Sequence, residues 1–407
     1  MSNLTKIIGL NILMAIAFFT CQSEKNTMEQ AVKSATIHPT KEVVLDGLRR
    51  PWSMAFLSEN EALVTEKDGD LLRVNLLTKE KTVISGFPDD LLDSLVVFAD
   101  NYPMGTYPNG TKGFKGRYNG GILDVVLDPN FRDNQWIYIS YAAEKDKKYA
   151  SKFIRAKLQN DQLTDIQPLL TALPYADGLF HFGGALLFGD DGKLYLTTGE
   201  RLFGDGLQPK DMPIAQNYSD PRGKIFRLNP DGSIPEDNPD FGPDAVPGLY
   251  AVGSRNSQGL AKHPETGNIW FTEHGTIQGD ELNQLESGAN FGWPLLSTGK
   301  YRGGYEPPKL DRELTVPMWS WYKTIAPTGL TFYTGSEFPS WRNNLIVPGL
   351  SRGNLWRFVM ESGEIKSVEE LFVNERDRVR KAVQSPEGAL YILTDEANGR
   401  IIRIKNG

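Results

Sequence analysis

The sequence contains one cysteine and four histidines among 407 residues, and both scarcities limit the available chemistry. A single cysteine excludes an intramolecular disulfide framework and a zinc site built from cysteine thiolates. Long runs of lysine or arginine are also absent, and the formal net charge is −7. An acidic chain without basic blocks is a poor candidate for binding nucleic acid or an anionic membrane surface. We therefore expect no nucleic-acid partner.

Long hydrophobic runs are missing as well. The apolar run at residues 7–19 is too short to cross a bilayer comfortably. Lys6 precedes it and Cys21 follows it, an order typical of a signal peptide of the lipoprotein type. We predict a signal peptide at residues 1–21, a lipid anchor at Cys21, export to the periplasm or outer membrane, and a polar linker at residues 22–40. A plain secretory signal with an incidental cysteine is the alternative.

Glycine and proline are abundant, at 40 and 25 residues, which indicates many turns. Six segments share one pattern, in which an apolar strand, a polar turn and a second strand follow one another. A short apolar strand that closes in a turn precedes each segment. Valine, isoleucine, leucine, tyrosine and tryptophan alternate in them, which is a strand signal and not a helical one. The segments begin near residues 61, 135, 192, 267, 343 and 388.

Repeats of three or four strands must stack to bury their faces, and radial stacking makes a β-propeller. Six copies predict an all-β fold, a six-bladed β-propeller over residues 41–407 with long inter-strand loops. Two β-sandwiches in tandem are the alternative, which six copies of one pattern disfavour. The uneven spacing places long loops, where functional sites usually lie, at residues 88–118, 200–222, 233–249 and 294–316.

Two strings place polar side chains at the entry of predicted inner strands. His181 opens the string HFGG, and its imidazole could point into a central channel and remove a proton near neutral pH. A packed structural histidine is the alternative. Arg255 and Asn256 lie in GSRNSQGL. The Arg255 guanidinium suits carboxylates and oxyanions, and the alternative is a buried arginine satisfied by loop carbonyls.

Two further strings carry concentrated charge. Arg378 and Arg380 lie two residues apart, so we expect both guanidiniums on one face of a strand. Their counter-charge is either an anionic ligand or a neighbouring acid, Glu375 or Asp377. The string EHGTIQGDELN, at residues 273–283, is acidic and rich in glycine. Carboxylates and free carbonyls in an irregular loop suit calcium, although the spacing differs from that of an EF-hand.

Eight strings, taken together and in order, resemble the soluble aldose sugar dehydrogenases that depend on pyrroloquinoline quinone (PQQ), the glucose/sorbosone dehydrogenase family. The resemblance runs from about residue 43 to the C-terminus. It implies a propeller that holds PQQ over its channel, oxidises aldoses at C1 to lactones and passes electrons to an unidentified acceptor at the cell envelope. The strings are GLRRPWSMAFL, GGILDVVLDPNF, HFGG, GKIFRLNPDGSIPEDNP, GSRNSQGL, GDELNQLESGANFGWP, IAPTGLTFYTG and RVRKAVQSPEGALYILTDEANGRIIRI.

The resemblance also implies roles for single residues. His181 matches the catalytic base that takes the proton of the sugar C1 hydroxyl while hydride moves to a quinone carbon. Arg255 would stabilise the developing oxyanion. The cofactor-contacting positions implied in this way are Asn119, Arg255, Asn256, Tyr301, Ser351, Arg352, Arg378 and Arg380.

Calcium is the second cofactor that the resemblance implies. One ion would be held by the backbone carbonyls of Gly275 and Thr276 and would polarise the quinone as a Lewis acid. Some members of the family hold a second calcium ion, which would lie near Glu281 and Phe291.

The chain departs from the family pattern at five positions. The most consequential is Ser351, because the family has a cofactor-contacting lysine there, and Arg352 is expected to face the other side of the strand. These departures leave two alternatives open. One is a propeller that has lost PQQ and binds glycans or a protein partner, and the other is a different reaction, such as hydrolysis or epimerisation by His181. The departures are Asn119 for glutamine, Ala185 for arginine, Glu200 for aspartate, Thr276 for proline and Ser351 for lysine.

Overall fold

The structure is a computed structural model, and it confirms an all-β fold. Its strands form six four-stranded antiparallel sheets. Cys21, Asn119, Arg352 and the predicted signal peptide lie outside the residues that it describes. The described residues are 38–67, 69–92, 120–202, 205–351, 354–375 and 377–407.

The strands alternate with short turns and a few long loops. Helical structure in the described ranges is limited to α1 (Phe131–Asn134) and four single-turn 3-10 helices, at Asp205–Leu207, Ile214–Gln216, Arg302–Gly304 and Pro339–Trp341. No helix among the described residues is long and apolar enough to cross a membrane. The strands in chain order are β1 (Pro39–Leu48), β2 (Pro51–Phe56), β3 (Glu61–Glu66), β4 (Leu71–Asn75), β5 (Lys81–Val83), β6 (Ile122–Leu127), β7 (Trp136–Lys145), β8 (Lys148–Gln159), β9 (Gln162–Thr171), β10 (Gly183–Phe188), β11 (Leu194–Thr198), β12 (Lys224–Leu228), β13 (Leu249–Val252), β14 (Ser257–Lys262), β15 (Ile269–Glu273), β16 (Asp280–Gln284), β17 (Trp319–Trp321), β18 (Thr331–Phe332), β19 (Leu345–Pro348), β20 (Leu355–Glu361), β21 (Glu364–Leu371), β22 (Val379–Gln384), β23 (Leu390–Thr394) and β24 (Gly399–Asn406).

The six sheets are the blades of a closed propeller. Blades 1 to 5 consist of four consecutive strands each, from β2–β5 to β18–β21, and blade 6 consists of β22, β23, β24 and β1. The first strand of every blade contacts the first strand of the next blade, and β22 contacts β2. The six inner strands therefore form a complete ring around the axis.

The ring is closed by the two ends of the chain. Strand β1 pairs antiparallel with β24, from Pro39 opposite Asn406 to Leu48 opposite Gly399. The six interfaces between neighbouring blades are filled by apolar clusters. In the interface between blades 1 and 2, for example, Leu63 packs in one cluster with Ile139, and both are fully buried. Each such side chain contributes about 1.5–3 kcal/mol by leaving water.

The predicted strand pairs and loops agree with the structure in most places. Each of the six repeats supplies the second strand of one blade, and three predicted long loops connect β11 to β12, β12 to β13 and β16 to β17. The predicted loop at 88–118 lies largely outside the described residues. Strand β1 was not predicted, and its first residues, Pro39 and Thr40, fall within the predicted linker. Most of its side chains are at least partly exposed, so its sequence lacks the alternation that marks a half-buried strand.

A polar network ties four inner strands together near the axis. Lys381 of β22 donates to Ser53 of β2 at 2.9 Å and to Asp124 of β6 at 2.5 Å. The other carboxylate oxygen of Asp124 accepts the backbone N–H of Leu186 in β10 at 3.0 Å. One buried carboxylate therefore links blades 6, 1, 2 and 3.

We expect the substitution Asp124→Ala to lower the free energy of unfolding by about 3 kcal/mol, because it leaves the ammonium group of Lys381 without its partner in a mostly buried setting. Urea denaturation measures the change. The matched control is Glu361→Ala, which removes a partner of Lys366 from an ion pair whose side chains are 69% and 67% exposed. That substitution should cost no more than about 0.5 kcal/mol. Equal losses in the two variants would contradict the role given to Asp124.

Candidate active site

His181 lies two residues before β10 in a strained backbone conformation. Its φ angle is +54°, a left-handed value that residues other than glycine adopt at an energetic cost, commonly at functional sites. The side chain is buried, with 8% exposed. Gly199 lies so close that a Cβ atom there would sit 1.8 Å from the carbonyl oxygen of His181. Tight packing of the two backbones therefore fixes the position of the imidazole.

Arg201 clamps the loop that leads to His181. Its guanidinium donates to the carbonyl of Gly178 at 2.7 Å and to that of Phe180, and it lies 3.4 Å from the ring centroid of Phe182. The side chain is fully buried, and burial lowers its pKa to about 9. Arg201 is therefore a positioning residue for the strand entry.

The carboxylate of Glu200 is the common partner of several side chains in the site. The Nδ1 atom of His181 lies 3.2 Å from Glu200 Oε1, and the Nε atom of Arg255 lies 3.6 Å from the same oxygen. The other oxygen accepts hydrogen bonds from Trp293 Nε1, at 2.6 Å, and from Gln208 Nε2. The backbone N–H of Glu200 donates to the carbonyl of Arg255 at 2.9 Å. Blades 3 and 4 thus meet at one buried anion.

The surroundings of His181 set its protonation. A carboxylate only accepts hydrogen bonds, so His181 Nδ1 carries the ring proton and Nε2 carries the lone pair. Burial, together with the nearby charges of Arg255 and Arg302, lowers the pKa of His181 well below 6.5. The imidazole is therefore neutral at neutral pH and able to accept a proton at Nε2.

Arg255 is held at its backbone and along its side chain. Its N–H donates to Glu273 Oε1 at 2.7 Å, and Ser254 Oγ donates to the other oxygen of that carboxylate at 2.8 Å. The guanidinium carbon lies 5.0 Å from the ring centroid of Trp293, a cation–π arrangement. Arg255 and His181, which the sequence predicts as catalytic partners, are therefore brought together.

Asn256 links the same two blades through its amide. Its Oδ1 atom accepts the backbone N–H of Gly183 at 3.1 Å, and its Nδ2 atom lies 3.4 Å from His274 Nδ1. His274 Nε2 lies 2.7 Å from the carbonyl of Pro327, and burial lowers the pKa of His274 to about 4. Asn256 therefore ties the strand that follows His181 to blade 4.

Arg378 and Arg380 form a separate cationic cluster around Asp395. Arg380 lies 2.5 Å from Asp395 Oδ2, Arg378 lies 3.5 Å from it, and Lys67 lies 3.1 Å from Oδ1. Burial alone would raise the pKa of Asp395, but these cations outweigh it and hold the pKa well below its usual range. Arg380 is 1% exposed and also donates to Gln258 at 2.6 Å, whereas about a third of the Arg378 side chain is exposed.

The counter-charge of this cluster differs from both acids considered in the sequence. Glu375 and Asp377 form ion pairs with Lys41, the latter at 3.0 Å, so the alternative that they neutralise the two arginines is wrong. Among the described side chains, three cations surround the single carboxylate of Asp395. An excess of positive charge of this kind suits a polyanionic ligand.

The carbonyls predicted to hold the first calcium ion accept hydrogen bonds from arginines. Arg255 Nη1 donates to the carbonyl of Gly275 at 2.6 Å, and Arg302 Nη2 donates to that of Thr276 at 2.7 Å. Two unit charges about 4 Å apart repel by about 4 kcal/mol at an effective dielectric constant of 20, and calcium carries two charges. In this arrangement the two carbonyls do not fit a calcium ion. The described part of the chain also contains no cluster of three or more potential metal-ligating side chains.

The position predicted for the second calcium ion has a different character. Glu281 of β16 lies opposite Glu273 of β15, and both carboxylates are buried. Burial raises the pKa of Glu281 to about 7 and that of Glu273 to about 8, and the charge of Glu281 adds to the rise at Glu273. Phe291 packs against Phe271 with ring centroids 4.7 Å apart. Two facing buried carboxylates fit a bound cation, because a cation would remove their mutual repulsion.

Two other predicted cofactor contacts occupy different surroundings. Tyr301 donates its hydroxyl hydrogen to the carbonyl of Pro294 at 2.7 Å, and its ring centroid lies 5.8 Å from that of Trp293. Because Trp293 also contacts Arg255, Tyr301 belongs to the wall of this site. Ser351 lies on an exposed turn after β19, where its N–H donates to the carbonyl of Ile325 at 2.9 Å.

Several residues of the site were not assigned from the sequence. In the sequence, Glu200 stands out only as a departure from the family pattern, and Trp293 only as part of a matching string. The lone charged residues carried no local signal, since their partners are distant in the chain. The residues missed in this way are Lys67, Glu200, Arg201, Trp293, Arg302 and Asp395.

Comparison with known proteins gives the site a context. The aldose sugar dehydrogenase YliI of Escherichia coli is 29% identical, over 93% of this chain and 95% of its own length. The quinoprotein glucose dehydrogenase B of Acinetobacter calcoaceticus is 26% identical, over 97% of this chain and 93% of its own length. The crystal structure of the soluble E. coli aldose sugar dehydrogenase in its apo form superposes with a TM-score of 0.77 at 28% identity, covering 91% of this chain and all of that one.

The family assignment rests on a match over most of the chain. A profile of the glucose/sorbosone dehydrogenases matches residues 48–403, which include blades 1 to 5, strands β22 and β23 and most of β24 of blade 6, and every residue of the site around Glu200. The protein is a member of the glucose/sorbosone dehydrogenase family.

Proposed function

We propose that the protein oxidises aldose sugars at C1 to lactones with PQQ as the hydride acceptor. The observation that carries this proposal is the convergence of His181 and Arg255 on one oxygen of Glu200, at 3.2 and 3.6 Å. A neutral base beside an oriented cation is the arrangement that removal of a hydroxyl proton requires. Membership of the family and similarity to an aldose sugar dehydrogenase and a quinoprotein glucose dehydrogenase support the choice of substrate and cofactor.

The donor set of the described residues fits PQQ, which is a tricarboxylate. The positive charges of Arg255 and Arg302 act on His181, and the cluster of Lys67, Arg378 and Arg380 adds further positive charge. Guanidiniums bind carboxylates through paired, charge-assisted hydrogen bonds. When bound, PQQ supplies a quinone carbon that accepts a hydride.

The residues of this chain then act on the sugar. His181 accepts the C1 hydroxyl proton at Nε2, while the C1 hydrogen leaves with its two electrons as hydride and the C1–O bond becomes the lactone carbonyl. Glu200 accepts a hydrogen bond from the Nδ1 proton and stabilises the imidazolium that forms. Arg255 stabilises the negative charge that develops on the sugar oxygen.

The variant His181→Ala should lower kcat by about 10²–10⁴-fold, the usual range for loss of a general base, and should leave the Kd for PQQ nearly unchanged. For the native protein, kcat/KM should fall only below pH 6.5, because the lowered pKa keeps the imidazole neutral above that value. Dye-coupled oxidation of aldoses after addition of PQQ measures both quantities. The control His38→Ala replaces an exposed residue at the start of the described chain. Turnover that survives in His181→Ala would show that the base is a different residue.

The proposal includes a structural calcium ion at Glu281. We expect calcium chloride to raise the melting temperature of the native protein by several degrees, because the ion would neutralise the facing carboxylates of Glu281 and Glu273. The variant Glu281→Gln should lose this response. Differential scanning fluorimetry measures it, with magnesium chloride as the salt control and Glu361→Gln, at an exposed position, as the matched variant. An equal response of native protein and Glu281→Gln would exclude the ion from this position.

The proposal also places the enzyme at the cell envelope, anchored through Cys21, which lies outside the described residues. The support is the apolar run at residues 7–19 followed by that cysteine. Cells fed a fatty-acid analogue should label the native protein and leave the variant Cys21→Ser unlabelled. Export of an unlabelled native protein would favour a plain secretory signal instead.

A further inference from the structure

Two arginines donate hydrogen bonds to neighbouring backbone carbonyls at the edge of the candidate site. Arg255 binds the carbonyl of Gly275 at 2.6 Å, and Arg302 binds that of Thr276 at 2.7 Å. Arg255 was already expected here, whereas nothing in the sequence assigned a function to Arg302. Each guanidinium carries five donor hydrogens, so it can donate to more than one acceptor.

Arg302 is held in place by the docking of one loop on another. The segment before it packs so closely that a Cβ atom at Gly299 would lie 2.0 Å from the carbonyl oxygen of Gln278. Thr276 Oγ1 donates to the carbonyl of Lys300, two residues before Arg302. The position of the Arg302 guanidinium is therefore set by the loop that carries Thr276.

Thr276 contributes to this docking in a way that proline could not. A proline at this position, as in the family pattern, has no hydroxyl group and could not form the hydrogen bond to Lys300. Thr276, its partner Lys300 and Arg302, two residues further on, are therefore parts of one arrangement. Together they place a guanidinium on the carbonyl of Thr276.

The charge of Arg302 reaches the catalytic base. It is among the positive charges that, after burial, lower the pKa of His181. Arg302 thus acts on the imidazole through its charge and donates to the carbonyl of Thr276, which would otherwise face a metal ion. A guanidinium there offers a fixed positive charge and directed donors to a bound anion.

We propose that the guanidinium of Arg302, beside that of Arg255, replaces the calcium ion at the quinone site, so that this protein binds PQQ without calcium. This inference rests on the proposed function. The two donors would bind the oxygens of the cofactor that a calcium ion would bind in its place. Calcium keeps only the structural position at Glu281.

The test measures the binding of PQQ to the full-length protein. Fluorescence quenching detects the binding, once in EGTA and once in calcium chloride. Native protein should bind PQQ with the same Kd, within about twofold, in both solutions. Arg302→Gln should weaken binding in EGTA by about tenfold or more, the effect of losing one charge-assisted hydrogen bond. Calcium should restore part of that loss, because the carbonyl of Thr276 is then open to a metal ion.

Two further variants keep the test decisive. Arg302→Lys retains the charge without the planar fork and should fall between the native protein and Arg302→Gln. Arg312→Gln removes an arginine of the same long loop that contacts Tyr218 instead of the site, and its Kd should equal that of the native protein. Circular dichroism checks that each variant is folded.

The possible failures are distinguishable. PQQ binding by native protein that requires calcium, or an Arg302→Gln variant that binds as well as Arg312→Gln in EGTA, would overturn the replacement of calcium and leave the proposed function intact. No PQQ binding by native protein in either solution would overturn both.

Discussion

The antiparallel ladder between β1 and β24 is the constraint on which the rest of the molecule depends. It joins residues 39–48 to residues 399–406 and completes the sheet of blade 6. Only a complete ring places each inner strand against both of its neighbours, as the contacts from β2 around to β22 require. The closed ring therefore sets the position of His181 relative to Arg255, because each residue lies just before the inner strand of its blade, and the two blades are neighbours.

The site consists of charged groups whose interactions are strengthened by burial. Glu200 is surrounded by donors from His181, Arg255, Trp293 and Gln208, and Asp395 is surrounded by Lys67, Arg378 and Arg380. In a water-poor interior such groups interact more strongly than they would at the surface. The first group fixes a neutral base beside a cation, and the second provides positive charge in excess. In the proposed reaction, the first cluster removes the proton, and both clusters contribute cations toward the polyanionic cofactor.

The repeat pattern predicted the fold well, because each repeat carries the alternation of a half-buried strand. It did not reveal β1, whose exposed side chains lack that alternation. His181 and Arg255 were predicted from their place at strand entries and from resemblance. Glu200, Asp395 and Arg302 were not assigned, because a lone charged residue shows its role only through partners far away in the chain. The pairing of Arg380 with Asp395, instead of Glu375 or Asp377, depends on the same long-range geometry.

Closure by the first and last strands also governs the order in which the chain can reach its final shape. Among the described strands, β1 is synthesised first and β24 last, so the ring can be completed only after β24 has been made. Until β1 pairs with it, β24 presents an unpaired edge to which another chain can add a strand. Contacts between segments so distant in sequence form slowly, because a very long loop must close first. Deletion of either β1 or β24 would therefore remove the same β1–β24 pairing that closes the ring.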